Sequence, residues 1–406
     1  MAADATIGPV LVLGGGLAAV SFVCGLRAGG FGGGICVVEA EGEAPYDRPP
    51  LSKEFQRHGD AEKIRLDLSR APDVDWVRGD GAAALDTVQR KVHLQSGRTL
   101  DYGTLVLATG ARPRTIAALS SAPVPVFTLR TIDDARRIRS LLSPGARLLV
   151  VGGGVIGLEL AASARGLGCD VMVAEALDRL MNRCCPTTLA DVVARTHLSN
   201  GVDLRLNTQV SGFIGTRASL SDGTTFAADL VVVGIGVVPN DELAREAGIA
   251  CDDGVFVDGY GRTTCAGVRA IGDVTRQRNP VSGRFERIET WSNAQNQGAA
   301  LARTLLDPSA APYADVPWYW SDQFDLRLQV AGLSVGDEEI VRGEVGPGRK
   351  FSLIQLRQGR AVGVACVSNP RDFSALRRLL SSDRLPDRAA LSDPSADLRK
   401  LIPQTA

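Results

Sequence analysis

Apolar runs that end at glycine recur along the chain and divide it into two similar blocks. The first block has an apolar run at 10–13, a glycine turn, a helix-like run to about residue 29 and a second apolar run at 35–39. In the second block the corresponding segments lie at 147–151, about 158–168 and 171–174. Continuous apolar runs of this length are typical of strands buried on both faces of a parallel sheet. The pattern therefore predicts the same strand–turn–helix–strand unit twice.

Both blocks continue into short runs of alternating apolar and polar residues. Residues 74–100 contain the turn signal Ser96-Gly97, and residues 202–229 contain Ser221-Asp222-Gly223, so each segment is predicted to form strands in a small meander. Apolar runs at 105–110 and 230–236 then return the chain to the two sheets. Residues 111–114 are interpreted as a linker out of the first block.

The rest of the pattern predicts a return to the first block and then a separate C-terminal region. A strand ending at Gly272-Asp273 and a helix from 289 to about 306 are expected to rejoin the first block, and the Pro/Ala-rich segment 309–317 is interpreted as a linker. After Trp318, alternating runs predict strands, and two helices follow: the strands lie at 326–330, 339–342, 351–355 and 361–365, and the helices near 373–380 and 389–401.

The first glycine turn has the spacing that a bound dinucleotide requires. Gly14 allows a tight turn, and Gly16 lets the backbone approach a pyrophosphate at the N-terminus of the helix. Ala19 stands at the third position, where a small side chain still permits close helix packing. Glu39 ends the second strand, where a carboxylate binds the ribose hydroxyls of an adenosine. A single turn of this kind is often only a turn, but strand, helix and acid all lie in place here.

The second turn carries the complete motif, with Gly152, Gly154 and Gly157, and its acid is Glu175. Two such units in one chain are a much stronger signal than one, and they predict a second dinucleotide site. A carboxylate at Glu175 binds a free 2′-hydroxyl and repels a 2′-phosphate, so NADH is preferred over NADPH. Nearby Arg179 or Arg183 would moderate this to a preference.

The predicted fold class is α/β, with two Rossmann-like dinucleotide-binding domains and a C-terminal α+β domain. The first domain is discontinuous and comprises 1–111 and 237–316. The second comprises 112–236, and the C-terminal domain comprises 317–406. A chain of 406 residues agrees with two or three domains of ordinary size.

Composition excludes several kinds of partner. Apolar residues make up 45% of the chain, enough for sizeable cores, and the net charge of −1 gives no global field for nucleic acid or an anionic membrane. Residues 1–6 lack the basic start and apolar core of a signal peptide, and the longest apolar run, 10–26, is broken by glycines. The expected location is the cytoplasm, with no membrane association.

Neither cysteine nor histidine usage indicates a metal site. The eight cysteines form no C-x-x-C pair, and the adjacent Cys184 and Cys185 have the wrong spacing for a metal or an easy disulfide. They are interpreted as reduced thiols that pack as small apolar residues. With only three scattered histidines, a histidine-based metal site or catalytic triad is not expected.

Three further segments carry candidate chemistry, each beside a plainer interpretation. The proline-rich strip 45–53 holds Arg48 and Lys53, which fit the phosphates and the redox-active ring of a cofactor or belong to a solvated loop. Asp273 fits the ribityl hydroxyls of a flavin or is an ordinary turn aspartate. Trp320, on the same strand face as Trp318, would shield a reacting ring or serve as a core aromatic.

Together these motifs resemble the FAD-dependent ferredoxin reductases, the NADH-using members of the glutathione-reductase structural superfamily. The resemblance covers essentially the whole chain and is carried by Arg48-Pro-Pro-Leu-Ser-Lys53 and Trp318-x-Trp320-Ser-Asp-Gln323 beside the two glycine motifs, Ala108-Thr-Gly110 and Gly272-Asp273. Within that family, residues 59–65 and 288–293 are similar to reductase components of biphenyl- and toluene-type aromatic-ring dioxygenases.

The resemblance implies roles position by position. The residues implied to contact FAD are Gly14, Gly16, Leu17, Ala18, Glu39, Arg48, Lys53, Ala108, Thr109, Gly110, Arg130, Gly272, Asp273, Glu289, Thr290, Trp291 and Trp320. The residues implied to contact NADH are Gly152, Gly154, Val155, Ile156, Glu159, Glu175 and Gly236. Lys53, Glu159 and Trp320 are implied to be catalytic, with Lys53 and Glu159 paired near the flavin edge and Glu289 near the nicotinamide. Close relatives often carry the first acid later, so Glu41 is a second candidate for the ribose.

The implied reaction is hydride transfer from NADH to FAD, followed by single-electron transfer to a [2Fe–2S] ferredoxin, expected to be of the Rieske type, that feeds a terminal dioxygenase. Residues 41–53 contain no cysteine, unlike thiol-using relatives, so electrons are expected to leave through the flavin. Basic candidates for the ferredoxin-facing rim are Arg65, Arg284, Arg287, Arg377 and Arg378. Two alternatives remain: an apoptosis-inducing-factor-like NADH-responsive protein and a flavin NADH oxidase.

Overall fold

The computed structural model describes residues 7–382 and 384–402, which group into two compact units. The first unit contains the described part of 1–47 together with 62–112 and 238–317. The second contains 48–61, 113–237 and the described part of 318–406. Residues 1–6, on which the expectation of no signal peptide rests, lie outside the described residues. The division into three domains at 111, 236 and 316 stays a prediction.

The helices and strands of the first third of the chain are β1 (Val10–Leu13), α1 (Leu17–Ala28), β2 (Ile35–Glu39), α2 (Glu54–His58), β3 (Val74–Arg78), β4 (Ala82–Asp86), β5 (Lys91–Leu94), β6 (Thr99–Asp101), β7 (Thr104–Leu107), β8 (Ala111–Pro113) and β9 (Val126–Thr128). Those of the middle are α3 (Ile132–Leu141), β10 (Arg147–Val151), α4 (Val155–Gly166), β11 (Asp170–Ala174), α5 (Thr187–Ser199), β12 (Asp203–Arg205), β13 (Val210–Ile214), β14 (Arg217–Leu220), β15 (Thr225–Ala227) and β16 (Leu230–Val233).

The elements after residue 236 are β17 (Val237–Pro239), α6 (Glu242–Glu246), β18 (Val255–Phe256), β19 (Val268–Ala270), β20 (Thr275–Arg278), β21 (Phe285–Arg287), α7 (Trp291–Leu306), β22 (Trp318–Gln323), β23 (Leu326–Gly332), β24 (Glu338–Gly343), β25 (Phe351–Arg357), β26 (Arg360–Val367), α8 (Pro370–Leu376), α9 (Arg388–Ser392) and α10 (Leu398–Leu401). Short 3-10 helices include Pro49–Ser52 and Gly272–Val274.

The first unit is built on a parallel sheet with strand order β19-β7-β1-β2-β3. All four residues of β1 are buried, because core side chains cover both faces of the sheet. Val10 and Val12 pack into one cluster with residues of α1, and Leu11 and Leu13 pack into another on the opposite face. The sheet therefore holds the carboxyl end of β1, where the glycine turn begins, in a rigid setting.

The second unit repeats this layout with a parallel sheet in the order β12-β11-β10-β16-β9. Its central strand β10 pairs with β11 and β16 in register, Leu148 lying beside Val171 and Leu230. The meander β13-β14-β15 covers one face, where Ala218 and Leu220 join the core. The prediction of two α/β blocks built alike is confirmed.

The C-terminal part of the second unit is an antiparallel sheet in the order β22-β23-β26-β25-β24. The four strands predicted there are confirmed, and β22 adds a fifth, but the single helix predicted at 389–401 is wrong. The segment forms two short helices, α9 and α10, because Pro394 lacks an N–H and disfavours a helical residue before it. Backbone carbonyls freed in this break accept hydrogen bonds from the buried Arg342 side chain.

Three smaller expectations also change. Residues 74–78 form β3, which joins the parallel sheet, while only β4-β5-β6 form the meander. Residues 111–113 form β8, which pairs with β17, so this segment is a two-stranded ribbon and not a plain linker. Helix α4 begins at Val155, three residues before the predicted start, because its first turn is part of the glycine motif.

Candidate cofactor and redox site

The two glycines of the first turn differ in whether the fold requires them. Gly14 has φ +105°, and a Cβ at this position would lie 2.2 Å from the carbonyl oxygen of Ala108. Gly16, by contrast, is the N-cap of α1 with φ −74° and ψ −175°, an extended conformation open to any residue. A Cβ at Gly16 would meet no protein atom within 4 Å. The fold thus explains Gly14, whereas the open space at Gly16 is left for a ligand.

The second turn divides in the same way. Gly152 has φ +109°, and a Cβ there would lie 2.6 Å from the carbonyl oxygen of Gly234. Gly154, the N-cap of α4, would place a Cβ at an ordinary contact distance of 3.7 Å from the same oxygen. Gly157 is required by packing, since its Cβ would lie 2.6 Å from Gly152 O. Again the middle glycine alone leaves room next to a helix N-terminus.

Both helices present uncapped N-termini to this room. Neither N-cap glycine of α1 or α4 makes a side-chain capping bond, so the first N–H groups of each helix lack a partner inside it. Such N–H groups, together with the helix dipole, bind phosphate oxygens. The two turns therefore fit the pyrophosphate of one dinucleotide each.

A carboxylate braces each turn from the end of the second strand. Glu39 Oε2 accepts a hydrogen bond from Gly15 N, and its Oε1 accepts one from Glu41 N at 2.9 Å. Glu175 repeats this geometry, with Oε2 accepting from Gly153 N at 2.6 Å and Oε1 from Leu177 N at 2.8 Å. The acids predicted from the strand ends thus stand beside the glycine turns in both units.

The neighbours of the two acids differ from expectation in one respect. Glu41 accepts a hydrogen bond from Tyr46 Oη at 2.5 Å, while Glu39 is the acid on the turn. Arg179, predicted to moderate the charge of Glu175, instead donates to Asn182 Oδ1 at 2.5 Å and to the carbonyl of Cys185. The Arg179 guanidinium is thereby engaged with these two partners, and its effect on the charge of Glu175 stays a prediction.

The other FAD candidates of the first unit lie on its 3-10 helix and on the start of α7. Gly272, with φ +76°, donates its N–H to Gln297 Oε1 at 2.7 Å and brings Asp273 to the end of β19. Thr290 caps α7 by accepting from Asn293 N at 3.2 Å. Trp291 Nε1 donates to Asp47 Oδ1 at 2.8 Å, and burial raises the pKa of Asp47 although this hydrogen bond opposes the rise.

Glu289 and the basic candidates are placed by ion pairs. Glu289 Oε1 lies 2.9 Å from Arg287 Nη2, and Arg287 Nε lies 3.2 Å from Asp253 Oδ2. Because the Arg287 side chain is only 8% exposed and paired twice, the prediction that it belongs to a basic rim is wrong. Arg65 pairs with Glu62 at 2.9 Å, and Arg377 lies over the ring of Trp318 at 5.6 Å.

A buried polar cluster occupies the second unit, around Glu159 of α4. Lys53 Nζ lies 3.3 Å from Glu159 Oε1, and both residues are less than 5% exposed. Ser52 Oγ donates to Glu159 Oε2 at 2.5 Å and Ser321 Oγ donates to Oε1 at 2.7 Å. Three donors from two segments, 52–53 and β22, therefore converge on one carboxylate, and the pairing implied for Lys53 and Glu159 is present.

Burial and donors act in opposite directions on this carboxylate. Burial raises the pKa of Glu159 above its ordinary value, while the Lys53 ammonium and the two serine hydroxyls lower it. The donors favour a carboxylate that holds the ammonium of Lys53 in one place. A lysine held rigidly at low dielectric is suited to stabilise a developing negative charge.

Trp320 lies against the same cluster. Lys53 Nζ is 5.7 Å from the centroid of the Trp320 ring, and the ring of Trp318 is 5.9 Å from that of Trp320. The two rings lie side by side, as the strand alternation predicted. Among residues of the second unit, the structure thus brings together the three predicted catalytic residues.

The predicted site residues divide between the two units. Those of the first unit are Gly14, Gly16, Leu17, Ala18, Glu39, Ala108, Thr109, Gly110, Gly272, Asp273, Glu289, Thr290 and Trp291. Those of the second are Arg48, Lys53, Arg130, Gly152, Gly154, Val155, Ile156, Glu159, Glu175, Gly236 and Trp320. Arg48, predicted on the phosphates, donates to the carbonyl of Arg130 at 2.7 Å. Gly236, with φ +98°, lies beside the guanidinium of Arg183.

Ser52, Ser321 and Asp47 are site residues that sequence reasoning missed. Both serines lie inside the motifs that carried the resemblance, but a serine in a motif has no chemistry of its own until its acceptor is known. Asp47 precedes Arg48 directly, and its partner Trp291 lies 244 residues away. In the sequence, only their position within or beside a motif marked these three residues. Their hydrogen-bond partners became known only from the fold.

In the described ranges, the structure shows no site assembled for thiol or metal chemistry. The eight cysteines are all free, and burial raises the pKa of several, including Cys36 to about 11 and Cys366 to about 12. Within 7–382 and 384–402, no group of three or more metal-ligating side chains is close enough to hold an ion. No helix in the same ranges is both long and apolar enough to cross a bilayer.

Comparison with known proteins places these features in a family. The model of the pyridine nucleotide-disulphide oxidoreductases matches residues 8–298, and a reductase C-terminal model matches residues 318–402. The chain is 40% identical over 405 residues to the ferredoxin–NAD(+) reductase component of an anthranilate 1,2-dioxygenase system from Burkholderia cepacia, with 97% of this chain and 99% of the relative covered. It is 39% identical to the corresponding component of a p-cumate 2,3-dioxygenase system from Pseudomonas putida, covering 97% and 98%.

A solved structure gives the same result. The crystal structure of a covalent putidaredoxin reductase–putidaredoxin complex superposes with a TM-score of 0.93 at 34% identity, covering 98% of each chain. Full-length matches at this identity agree with the duplicated glycine turns and the buried Lys53–Glu159 pair. This chain is therefore a member of the pyridine nucleotide-disulphide oxidoreductase family, in the branch that carries the reductase C-terminal domain.

Proposed function

We propose that this enzyme takes a hydride from NADH with a bound FAD and passes single electrons to a [2Fe–2S] ferredoxin, which feeds an aromatic-ring-hydroxylating dioxygenase. One observation carries the proposal: the chain holds two glycine turns, each with an open N-cap and a bracing carboxylate. Full-length relatives are named as ferredoxin–NAD(+) reductase components of dioxygenase systems, which supports the choice of acceptor.

The first turn is proposed to hold FAD and the second NADH. At the first, the open side of Gly16 and the N-terminus of α1 would take the pyrophosphate, and Glu39 the ribose. At the second, Gly154 and Glu175 would do the same for NADH. FAD, when bound, supplies the ability to accept an electron pair and release single electrons.

Around the flavin, the protein is proposed to act through Lys53 and Trp320. Glu159 fixes the ammonium of Lys53 at 3.3 Å, so this charge needs no reorganisation when negative charge develops near it. Trp320, against Lys53, would exclude water from the reacting rings. No group is assigned to general acid or base work, since hydride transfer needs none.

The ferredoxin and the cellular location are further parts of the proposal. A relative of the same length was crystallised covalently linked to putidaredoxin, which supports a small redox protein as the partner. The loop 41–53 has no cysteine, which argues against a thiol as an electron carrier. We place the enzyme in the cytoplasm, where NADH and such ferredoxins are available.

The test is an anaerobic titration of the purified yellow protein with NADH, followed by addition of a Rieske-type ferredoxin and cytochrome c. Cytochrome c reduction that depends on the ferredoxin would support the proposal, and a reaction without ferredoxin is the control. Rapid flavin bleaching with oxygen consumption but no ferredoxin dependence would indicate an NADH oxidase. A long-lived charge-transfer complex that reduces every acceptor slowly would indicate an NADH-responsive sensor.

The role of Lys53 has its own test. Lys53→Met should alter the flavin absorption spectrum and slow reduction by NADH, because it removes the ammonium that the proposal assigns to the ring. Arg147→Met is a matched control, since Arg147 is a solvent-exposed cation paired with Asp229 in the same unit. If Lys53→Met behaves like Arg147→Met in both measurements, Lys53 has no role at the ring.

A further inference from the structure

A chain of buried hydrogen bonds continues from Glu159 through residues that the proposed reaction does not use. Ser321, which donates to Glu159 Oε1, has its Oγ 3.0 Å from Gln323 Nε2. Gln323 Oε1 in turn lies 3.0 Å from His197 Nε2. Ser321, Gln323 and His197 have no exposed surface. The chain runs from α5 through β22 to α4, wholly inside the second unit.

The orientation of the Gln323 amide is fixed by a sulfur atom. Met181 Sδ lies 4.0 Å from Gln323 Nε2, and a thioether sulfur accepts but never donates. The NH₂ group of Gln323 therefore faces Met181 and Ser321, and its carbonyl oxygen faces His197. An imidazole nitrogen opposite a carbonyl must carry a proton, so His197 is protonated at Nε2.

His197 is neutral, so this proton is its only one. Burial lowers the pKa of His197 to about 4, against the hydrogen bond to Gln323, which raises it. His197 Nδ1 is buried without a hydrogen-bond partner in the described part of the chain. In the Nε2–H tautomer, Nδ1 carries no proton, so no N–H group is buried there without an acceptor.

These assignments set the direction of every bond in the chain. His197 donates to Gln323, Gln323 donates to Ser321, and Ser321 is left to donate its hydroxyl proton to Glu159. The sequence of donors ends on the carboxylate that binds Lys53. Because Ser52 donates to the other oxygen, Oε2, rotation of the Glu159 carboxylate would break at least one of these hydrogen bonds.

Backbone strain next to the chain is an independent observation. Phe324, the first residue of the turn between β22 and β23, has φ +53°, and Met181 has φ +49°. Left-handed backbone is disfavoured for residues of this size and persists where the surroundings determine it, often at functional sites. The ring of Phe324 packs edge-on against His197 with centroids 5.0 Å apart. The strained turn thus holds both Gln323 and the imidazole.

We infer that His197 and Gln323 are positioning residues for Glu159, which they act on by fixing the Ser321 hydroxyl as a donor to its carboxylate. The inference deepens the proposed function, since Glu159 matters there through its hold on Lys53. The effect of His197 and Gln323 on Glu159 is transmitted through oriented hydrogen bonds and not through contact with NADH or FAD.

Three variants of the holoenzyme separate positioning from packing. Gln323→Met keeps the length of the side chain and removes both bonds, and His197→Leu removes the donor to Gln323. His197→Gln is the matched control, because the glutamine Nε2–H occupies the place of the imidazole Nε2–H. We expect about a tenfold slower flavin reduction in the first two, the factor that corresponds to one net hydrogen bond, and a change within about twofold in His197→Gln. The dissociation constant of NADH should stay within about twofold of wild type in all three, because the side chains of His197 and Gln323 are fully buried.

Two spectroscopic readouts do not depend on turnover. With only three histidines, ¹⁵N-labelled wild-type protein should show His197 as a neutral Nε2–H tautomer that does not titrate between pH 5 and about 8, given its lowered pKa. In protein labelled at glutamate Cδ, with Glu159→Gln for assignment, Gln323→Met should raise the pKa of Glu159 because an oriented donor is lost.

The outcomes are distinct. An Nδ1–H tautomer, or an unchanged Glu159 titration in Gln323→Met, would overturn the inference whatever the enzyme's activity. Wild-type rates in His197→Leu and Gln323→Met, with only a lower melting temperature, would reduce the chain to packing and would also overturn it. If wild-type protein is not reduced by NADH while both spectroscopic results hold, the proposed function fails and the hydrogen-bond chain stands.

Discussion

The Lys53–Glu159 pair allows a quantitative test of how this site is held together. At 3.3 Å between Nζ and Oε1, and with an effective dielectric constant of about 20, the Coulomb attraction is about 5 kcal/mol. Removing the ammonium or the carboxylate alone leaves the other group buried, less than 5% exposed, without its charged partner. We therefore expect Lys53→Met and Glu159→Gln each to lower the free energy of unfolding by about 3–5 kcal/mol.

The double variant should cost far less than the sum of the two. When both charges are gone, neither side chain leaves a charge behind, and a buried pair replaced by neutral groups of similar volume is often close to neutral in stability. A double-mutant cycle should give a coupling free energy of about 3 kcal/mol. The measurement is urea unfolding at pH 7 by far-UV circular dichroism, with calorimetry to separate the transitions of the two units.

The exposed pair Arg147–Asp229 is the matched control. It lies in the same unit with a shorter distance of 2.6 Å, but both side chains are more than 40% exposed. The cycle of Arg147→Met and Asp229→Asn should give less than about 1 kcal/mol, because water screens the pair. Equal coupling at the two pairs would refute the reasoning that burial makes Lys53 and Glu159 depend on each other.

Four other outcomes test the remaining assignments. Gly16→Val should abolish FAD retention on dialysis while the affinity for NADH, measured by titration, is preserved. Gly154→Val should weaken NADH binding while FAD is retained. Glu175→Ala should narrow the ratio of kcat/KM for NADH over NADPH by about tenfold, roughly one charge-assisted hydrogen bond; an unchanged ratio removes Glu175 from selection. Since the pKa of His197 falls from 6.5 to about 4 on folding, stability should drop by up to about 3 kcal/mol from pH 6.5 to 4, and His197→Gln should flatten this part of the Tm–pH curve. Arg342→Met should cost about 3–5 kcal/mol, measured by unfolding, because it strands Asp372 and the carbonyls of the α9–α10 break.

Local features of the sequence predicted most of the fold. Strand β2 begins and ends at the residues expected, and both glycine turns stand where their spacing placed them. The contacts that explain each turn join residues that are close in sequence or that lie at the ends of neighbouring strands. The helix at 389–401 was mispredicted because its break depends on Pro394 and on the distant Arg342, which takes up the carbonyls that the break exposes.

The polar cluster at Glu159 was harder to predict for the same physical reason. Ser52 lies 107 residues from Glu159 and Ser321 lies 162 residues away, so no local pattern links them. The pairing of Lys53 with Glu159 came from family resemblance and not from spacing. His197 illustrates the limit, since a lone histidine on an apolar helix face gives no sign in sequence of its bond to Gln323.

The two glycine turns show which motif positions report on a ligand and which on packing. Gly14 and Gly152 are imposed by backbone conformation, and Gly157 by the approach of α4 to Gly152 O at a distance that excludes a Cβ. In the first unit Ala19 is fully buried with its Cβ in place, so α1 needs no glycine there. A missing third glycine is therefore no argument against a bound dinucleotide. Only Gly16 and Gly154, where the fold itself tolerates a side chain, point to the ligand.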